Sequence, residues 1–313
     1  MSHTPYNPTP ELRAAVIPGQ GRLSFPVPDE FAGMQVGTFL RRCGVSAKTM
    51  RSAKRMSGGI VQDGEHIRTV DPVAAGAMIS VSTGEVEQAY LRAKGIDIPV
   101  LYEDAHIIAF DKPAGLNTHP SNRDATDSLL NYAWRHFENR TFRPLTRLDK
   151  QTSGVLLTAK TAFAATAVKT LPNKDYLAIA QGELAGSGTI DLPIIRSKET
   201  VKHRVVSPDG LPSVTHYRSL ATGRGHSLLL LRLETGRTHQ IRVHLGHIGH
   251  VLAGDDLYGG DNRHMTRQAL HCLRLSFTSP FSGEPLCIEA PLPADMRRAC
   301  AQLFGELPDM TIW

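Results

Sequence analysis

The chain has 313 residues, room for two domains and a sizeable core. Its apolar share, 41%, is ordinary for a soluble protein, and no apolar run is long enough to span a bilayer, which argues against a helical membrane protein. The formal net charge is +5, and residues 31–70 account for all of it, with seven basic side chains (Arg41, Arg42, Lys48, Arg51, Lys54, Arg55, Arg68) against Asp63 and Glu65. That asymmetry points to a small polyanion-binding module joined to a nearly neutral domain; the plainer reading is a solvated helix face.

Residues 1–28 are Pro-rich, without periodicity, and read as an N-terminal strap or tail. They lack the charged-then-apolar pattern of an export signal, and the four cysteines (Cys43, Cys272, Cys287, Cys300) form no C-x-x-C pair. Reduced, mostly buried thiols in a cytoplasmic protein are the expectation.

Residues 29–84 read as a small basic domain. Val36, Phe39 and Leu40 have helical spacing, with Gly44 to end that helix. Ser46 is a good cap for a second helix, on which Lys48, Arg51 and Lys54 or Arg55 share one face. Gly59 to Ile67 reads as strand, Asp63-Gly64 turn, strand, and Ala77 to Ser82 as a closing strand. Residues 85–97 read as a linker.

From residue 98 to 313 many strands are interrupted by few helices. His106 to Phe110, Gly154 to Thr158, Tyr176 to Gln181, Val214 to Leu220 and Ser227 to Glu234 are strand-like. Thr126 is read as the cap of an amphipathic helix with Leu129, Leu130, Ala133, Trp134 and Phe137 on one side, and Thr238 as the cap of another carrying Ile241, Leu245 and Ile248. His271, Leu273, Leu275 and Phe277 alternate as in a half-buried strand. The fold class expected is α+β: a mainly antiparallel mixed-sheet domain with a small αα-β domain ahead of it.

The chemistry-bearing segment is Leu145-Thr146-Arg147-Leu148-Asp149-Lys150-Gln151-Thr152-Ser153-Gly154. It places an Arg and an Asp on a short turn before the apolar run Val155-Leu156-Leu157. A carboxylate at such a junction can be held rigidly and kept ionised by a neighbouring cation. The segment resembles the H-R-L-D-x-x-T-S-G motif of the RluA family of pseudouridine synthases, with Thr146 in place of the usual His. Further pieces match that family in order: Asp111-Lys112-Pro113-Ala114-Gly115-Leu116 to His119-Pro120, Lys174 to Ala178, Thr235-Gly236-Arg237-Thr238-His239-Gln240-Ile241-Arg242 continuing to Tyr258-Gly259, and Leu270 to Phe277. The L-R-R-x-G-V-S (Leu40 to Ser46) and G-x-V-x-D-G (Gly59 to Gly64) patterns, within about fifty residues, are similar to the RNA-binding module of small-subunit ribosomal protein four.

The resemblance implies an isomerase that converts uridine to pseudouridine in RNA, without metal or organic cofactor. The target base must leave its stack, a carboxylate must meet the sugar or the base, and water must be kept from the intermediate. By motif position Asp149 is implied as the catalytic carboxylate, Arg242 as its ion-pair partner and Tyr176 as the ring that stacks on or hydrogen-bonds the uracil. Arg147 is implied to take the place of the flipped nucleotide, and Leu273 or a neighbour to floor the base pocket. Arg41, Arg42, Lys48, Arg51, Lys54 and Arg55 would grip phosphates. Ribosomal RNA is the first expectation for the partner, ahead of transfer RNA, with the protein a monomer. Loss of the motif's His at Thr146 is expected to leave activity intact.

Three rival readings stand beside this one. His239, His244, His247 and His250, with Asp255 and Asp256 nearby, could gather a metal, although Gly246 and Gly249 interrupt the helix. Asp149 with Asp255 could be the carboxylate pair of a glycosidic-bond hydrolase. The basic domain alone would suit a non-catalytic RNA-binding or ribosome-assembly factor. Taken singly, Asp149 is more often a turn cap, Tyr176 a core residue and Arg242 a surface charge; their joint pattern outweighs those readings.

Overall fold

The computed structural model describes residues 17–19, 21–83, 97–119, 128–133, 136, 143–168, 172–200 and 203–305. The expected cap at Thr126, the helix positions Trp134 and Phe137, residues 1–16 of the strap and nearly all of the 85–97 linker lie outside them. Among the described residues no helix is long and apolar enough to cross a membrane.

The N-terminal unit is a five-stranded sheet with two helices. Its strands are β1 (Ile17–Gly19), β2 (Arg22–Pro26), β3 (Ile60–Gln62), β4 (Glu65–His66) and β5 (Met78–Ser82), in the order β1-β2-β5-β3-β4. Helices α1 (Val36–Arg42) and α2 (Ala47–Ala53) join β2 to β3. Ser46 caps α2 by accepting the Thr49 N–H at 3.1 Å. The β3–β4 turn puts Asp63 and Gly64 both at positive φ, 51° and 92°, as a two-residue hairpin of this twist requires. The unit begins before residue 29, which corrects the strap reading of 1–28. Leu23, Phe25 and Val27 are buried in alternation, and β2 pairs antiparallel with β5 over its whole length. The flanking prolines hide that period, because they sit at strand ends, where a missing N–H costs no ladder bond.

The larger unit is built on a ten-stranded sheet whose main path runs β11-β14-β15-β10-β16-β9-β7-β6. Its strands are β6 (Val100–Glu103), β7 (Ile107–Lys112), β8 (Arg143–Pro144), β9 (Ser153–Ala159), β10 (Asn173–Gln181), β11 (Ser187–Asp191), β14 (Val214–Gly223), β15 (His226–Leu233), β16 (Leu270–Thr278) and β17 (Pro285–Glu289). A separate hairpin, β12 (Ile194–Arg196) with β13 (Arg204–Val206), sits beside it. The pairs are antiparallel except β9 with β16, which run parallel through Ser153–His271 and Gly154–Cys272. Gly154 is indispensable there: its φ is 111°, and an added Cβ would lie 2.1 Å from the Cys272 carbonyl oxygen.

Among the described residues four helices accompany the sheet: α3 (Leu129–Ala133), α4 (Ala162–Val168), α5 (Gln240–His247) and α6 (Ala294–Phe304). One apolar core runs continuously from Leu23, Phe25 and Phe39 to Ile107, Phe110 and Leu156. Phe25 meets Phe163 of α4 edge-on, with ring centroids 6.0 Å apart, so the two units share packing. A second core lies beneath α6, where Met296, Cys300 and Leu303 cover Leu177, Ile179 and Leu228. Burial pushes the Cys43 and Cys272 thiols up to about 12, which keeps both protonated and inert.

Helix α5 starts differently from the sequence reading. Thr238 is not its cap; the N-cap is His239, left-handed at φ 58°, with no capping bond from its own side chain. Gln240 does the local work instead, its Oε1 accepting the Arg237 N–H at 3.0 Å and the Thr235 hydroxyl at 2.8 Å. Ile248 falls past the last helical turn and is 36% exposed, because the chain leaves the helix before the apolar stripe is complete.

Candidate active site

The segment 145–152 connects β8 to β9 and is held almost entirely through its backbone. The Leu145 N–H donates to the Leu157 carbonyl at 2.8 Å, and Thr146 Oγ1 accepts the Leu157 N–H at 2.9 Å. Thr146 is 4% exposed, so the hydroxyl that replaces the motif's His serves as a buried tie to β9. Further on, Thr118 Oγ1 donates to the Leu148 carbonyl at 3.2 Å, Arg267 Nη1 to that of Gln151 at 3.0 Å, and Gln268 Nε2 to Thr152 Oγ1 at 3.0 Å. The Lys150 carbonyl takes both the Gly115 N–H at 2.9 Å and Lys112 Nζ at 3.2 Å.

Lys112 is fully buried and also donates to the carbonyls of Pro113 and Leu116, each at 2.8 Å. Burial pushes its amine down to about 7, with the nearby Asp149 charge opposing the fall. Three carbonyl acceptors suit the ammonium form. The Asp-Lys-Pro segment therefore serves as a brace beneath the Asp149 loop.

Asp149 projects from this braced loop into a cavity of about 50 Å³, lined by Arg147, Leu148, Thr152, Tyr176, Leu233, Arg237, His239, Gln240, Ile241, Arg242 and Leu270. Arg242 approaches from α5: its Nη1 is 3.3 Å from Asp149 Oδ2. The same guanidinium makes a two-pronged bond to Asp255, Nε to Oδ2 and Nη2 to Oδ1, each at 2.7 Å. Burial works against the Arg242 charge, but the Asp255 bonds outweigh it and raise its pKa. Tyr258 lies over the guanidinium, 4.9 Å from carbon to ring centroid. Only 5% of Arg242 is exposed, so it is a fixed cation rather than a surface charge.

Tyr176 is 5% exposed on β10, opposite Cys272 of β16. Burial first, then Cys272 beside it, pushes its phenol well above the ordinary 10. It is therefore a neutral ring with a hydroxyl at physiological pH. Arg147 is exposed at the cavity rim.

Leu273 does not line the cavity. The register between β10 and β16 slips at Asp175/Tyr176, so Cys272 takes the place opposite Tyr176 and Leu273 is left as the unpaired extra residue of the bulge. Leu148, Leu233, Ile241 and Leu270 form the apolar wall instead.

The basic residues form a separate surface. Arg41, Lys48, Arg51, Lys54 and Arg55 are exposed on or just after α1 and α2, while Met50 and Ala53 face the core. Arg42 is half-buried, its guanidinium 5.7 Å from the Phe31 ring centroid. None of the six lines the cavity.

The histidines do not converge. His244 bonds Thr215 Oγ1 and the Leu192 carbonyl, each at 2.9 Å, and His250 bonds the Gln181 carbonyl at 3.0 Å. His239 faces Tyr258, and Asp255 is taken up by Arg242. Among the described residues no group of three His, Cys, Asp or Glu is placed to hold a metal.

Several members of the site escape a reading of the sequence. His239, Gln240 and Tyr258 stand inside quoted motifs, but nothing in the letters says that they meet Asp149 or each other. Arg267 and Gln268 carry no sequence signal, because their partners, the Gln151 carbonyl and the Thr152 hydroxyl, are set by the fold alone.

Comparison with known proteins shows the family. Residues 106–247 match the family model described as RNA pseudouridylate synthase. The chain is 38% identical over 301 residues to the ribosomal large subunit pseudouridine synthase D of Xanthomonas campestris, covering 88% of this chain and 91% of that one. It is 35% identical to the protein of the same name from Nitrosomonas europaea, covering 98% of this chain and 95% of the relative. The solved structure of human RNA pseudouridylate synthase domain containing 1 shares the fold, with a TM-score of 0.57 at 24% identity over 70% of this chain and 94% of that one. With the match running nearly end to end at this identity, the chain belongs to the RNA pseudouridylate synthase family and is an isomerase of that kind.

Proposed function

We propose that this protein isomerises a specific uridine in structured RNA, and that large-subunit ribosomal RNA, rather than transfer RNA, is the substrate. The observation that carries the reading is a carboxylate on a braced loop, ion-paired to a buried, fixed arginine and facing a cavity beside a neutral tyrosine. The names of the two relatives support the choice of RNA.

The cavity holds only a few water molecules, so a flipped base needs lining side chains to move. Arg147, exposed at the rim, is the one free to swing out into the gap that the base leaves. Tyr176 then stacks on or hydrogen-bonds the uracil through its neutral ring and hydroxyl. Asp149 is the carboxylate that meets the sugar or base once the N-glycosidic bond is under attack. The base turns, a carbon–carbon bond to the sugar forms, a proton leaves the newly bonded ring carbon, and a proton ends on the nitrogen that left. Atoms are conserved, and Asp149 is regenerated.

The N-terminal unit supports this role as an RNA-binding module like that of small-subunit ribosomal protein four, with Lys48, Arg51, Lys54 and Arg55 on its outer face and Arg41 and Arg42 beside them. We place the protein in the cytoplasm as a monomer, in keeping with its free cysteines and its ribosomal substrate.

The hydrolase reading loses ground on geometry. Asp255 is 1% exposed and bonded through both oxygens to Arg242, which leaves it unable to activate a water. Asp149→Asn tests the assignment: pseudouridine formation should vanish in a single-turnover assay while RNA affinity stays within about threefold, a shift under ~1 kcal/mol. Retained turnover would sink the reading, and release of free uracil by the wild type would favour the hydrolase.

A further inference from the structure

We propose, resting on the uridine-isomerising reading of this cavity, that His239 is a positioning residue: held as its Nε2–H tautomer by Tyr258, it donates to Oδ2 of Asp149 during turnover and leaves Oδ1 to react.

The backbone gives the first argument. His239 stands at φ 58°, a left-handed conformation that a non-glycine residue seldom adopts and that Gly or Asn would relieve. Its side chain contributes no cap to α5. This conformation sets the imidazole at the cavity wall, beside Asp149.

Hydrogen-bond accounting gives the second. The Arg204 N–H, at the start of β13, donates to the Tyr258 hydroxyl oxygen at 3.0 Å. That oxygen lies 3.0 Å from His239 Nδ1. Within the protein, the Tyr258 proton finds its acceptor at Nδ1, which leaves the ring proton on Nε2. Nε2 lies 3.8 Å from Asp149 Oδ2. The opposite tautomer would set the Nε2 lone pair against the Asp149 carboxylate and leave the phenol proton with no partner in the protein. Contacts of this kind are commonly long before substrate binds and tighten afterwards.

The third argument is where the contacts fall. Among the described residues, both cationic or donor groups beside Asp149, Arg242 Nη1 and His239 Nε2, approach Oδ2. The charged and titratable groups facing His239 are Asp149, Arg242, Arg204, Asp255 and Tyr258. Burial and the two arginines disfavour its protonation, which keeps the imidazole neutral and its tautomer meaningful.

Two measurements test this. Nitrogen-15 NMR of the imidazoles in the RNA-free, full-length protein should show His239 as Nε2–H in the wild type and as a mixture in Tyr258→Phe. An Nδ1–H wild type overturns the proposal whatever the activity. The second compares His239→Gln with His239→Asn in single-turnover pseudouridine formation. Gln extends an amide donor to the Nε2 position but strains the backbone; Asn relaxes the backbone but reaches only as far as Nδ1. A positioning role makes Gln the faster by about tenfold or more at unchanged RNA affinity. Asn equal to or faster than Gln means that only the backbone matters and refutes the proposal. A wild type that forms no pseudouridine would instead strike at the functional reading, and the tautomer measurement stands apart from that outcome.

Discussion

Replacing Arg242 by Met should separate folding from chemistry. Its side chain is 6% exposed and that of Asp255 only 1%, and two bonds of 2.7 Å join them. Met fills much of the guanidinium's path yet leaves the buried Asp255 carboxylate without its partner. Breaking one partner of such a pair costs about 3–5 kcal/mol, most of it the burial of an unpaired charge. Adding Asp255→Asn removes that charge but leaves a neutral amide short of partners, at about 1–3 kcal/mol. The double variant should therefore regain roughly 2 kcal/mol relative to Arg242→Met. Activity should not follow stability, because Asp149 loses its fixed cation in both proteins. Urea unfolding gives the stabilities, and single-turnover pseudouridine formation on ribosomal RNA fragments gives the rates. A loss below about 1 kcal/mol in Arg242→Met would show that the pair is not the buried unit described. Recovery of turnover in the double variant would show that Arg242 matters only through folding.

The basic face, the catalytic loop and the buried imidazole behind it supply three more tests. Replacing Lys48, Arg51 and Arg55 together with Ala should weaken RNA binding and reduce the salt slope by roughly one unit per lost phosphate contact, and an unchanged slope would mean the face is merely solvated. Thr146→Val removes the hydroxyl that accepts the Leu157 N–H and should cost about 1–3 kcal/mol with a slower turnover; a neutral result would show the loop needs no such tie. His271 is buried, with Nδ1 bonded to the Ser153 hydroxyl and Nε2 to the Ala290 carbonyl, and burial pushes it down to about 4. The unfolded chain binds a proton here from about pH 6.5 downward, and the folded chain does so only near 4. Stability from this residue is thus intact above 6.5 and is lost as pH falls toward 4, by about 3 kcal/mol in all. His271→Gln should flatten the pH dependence of unfolding in that window, and parallel curves for variant and wild type would refute the assignment.

Local structure was legible wherever chemistry is local. Ser46 capping α2, the Asp63-Gly64 turn and the alternating strand residues follow from propensity and φ preferences that neighbours along the chain settle between themselves. The ordered motifs around Asp149, Tyr176 and Arg242 also picked out residues that the fold gathers around one cavity. Tertiary structure decided the rest. The proline-masked strand β2 became visible only beside β5, since a strand is defined by its partner. The bulge that sets Cys272 rather than Leu273 opposite Tyr176 depends on a register between strands almost a hundred residues apart. The support of the Asp149 loop by Lys112 and Arg267 runs through backbone carbonyls, which look alike in every sequence, and that by Gln268 through the Thr152 hydroxyl, a partner more than a hundred residues away along the chain. The sequence by itself singled out Asp149, Tyr176 and Arg242 as neighbours in one site; which oxygen of Asp149 the Arg242 and His239 side chains approach was decided by distances of about 3 to 4 Å among residues that only the folded chain brings together.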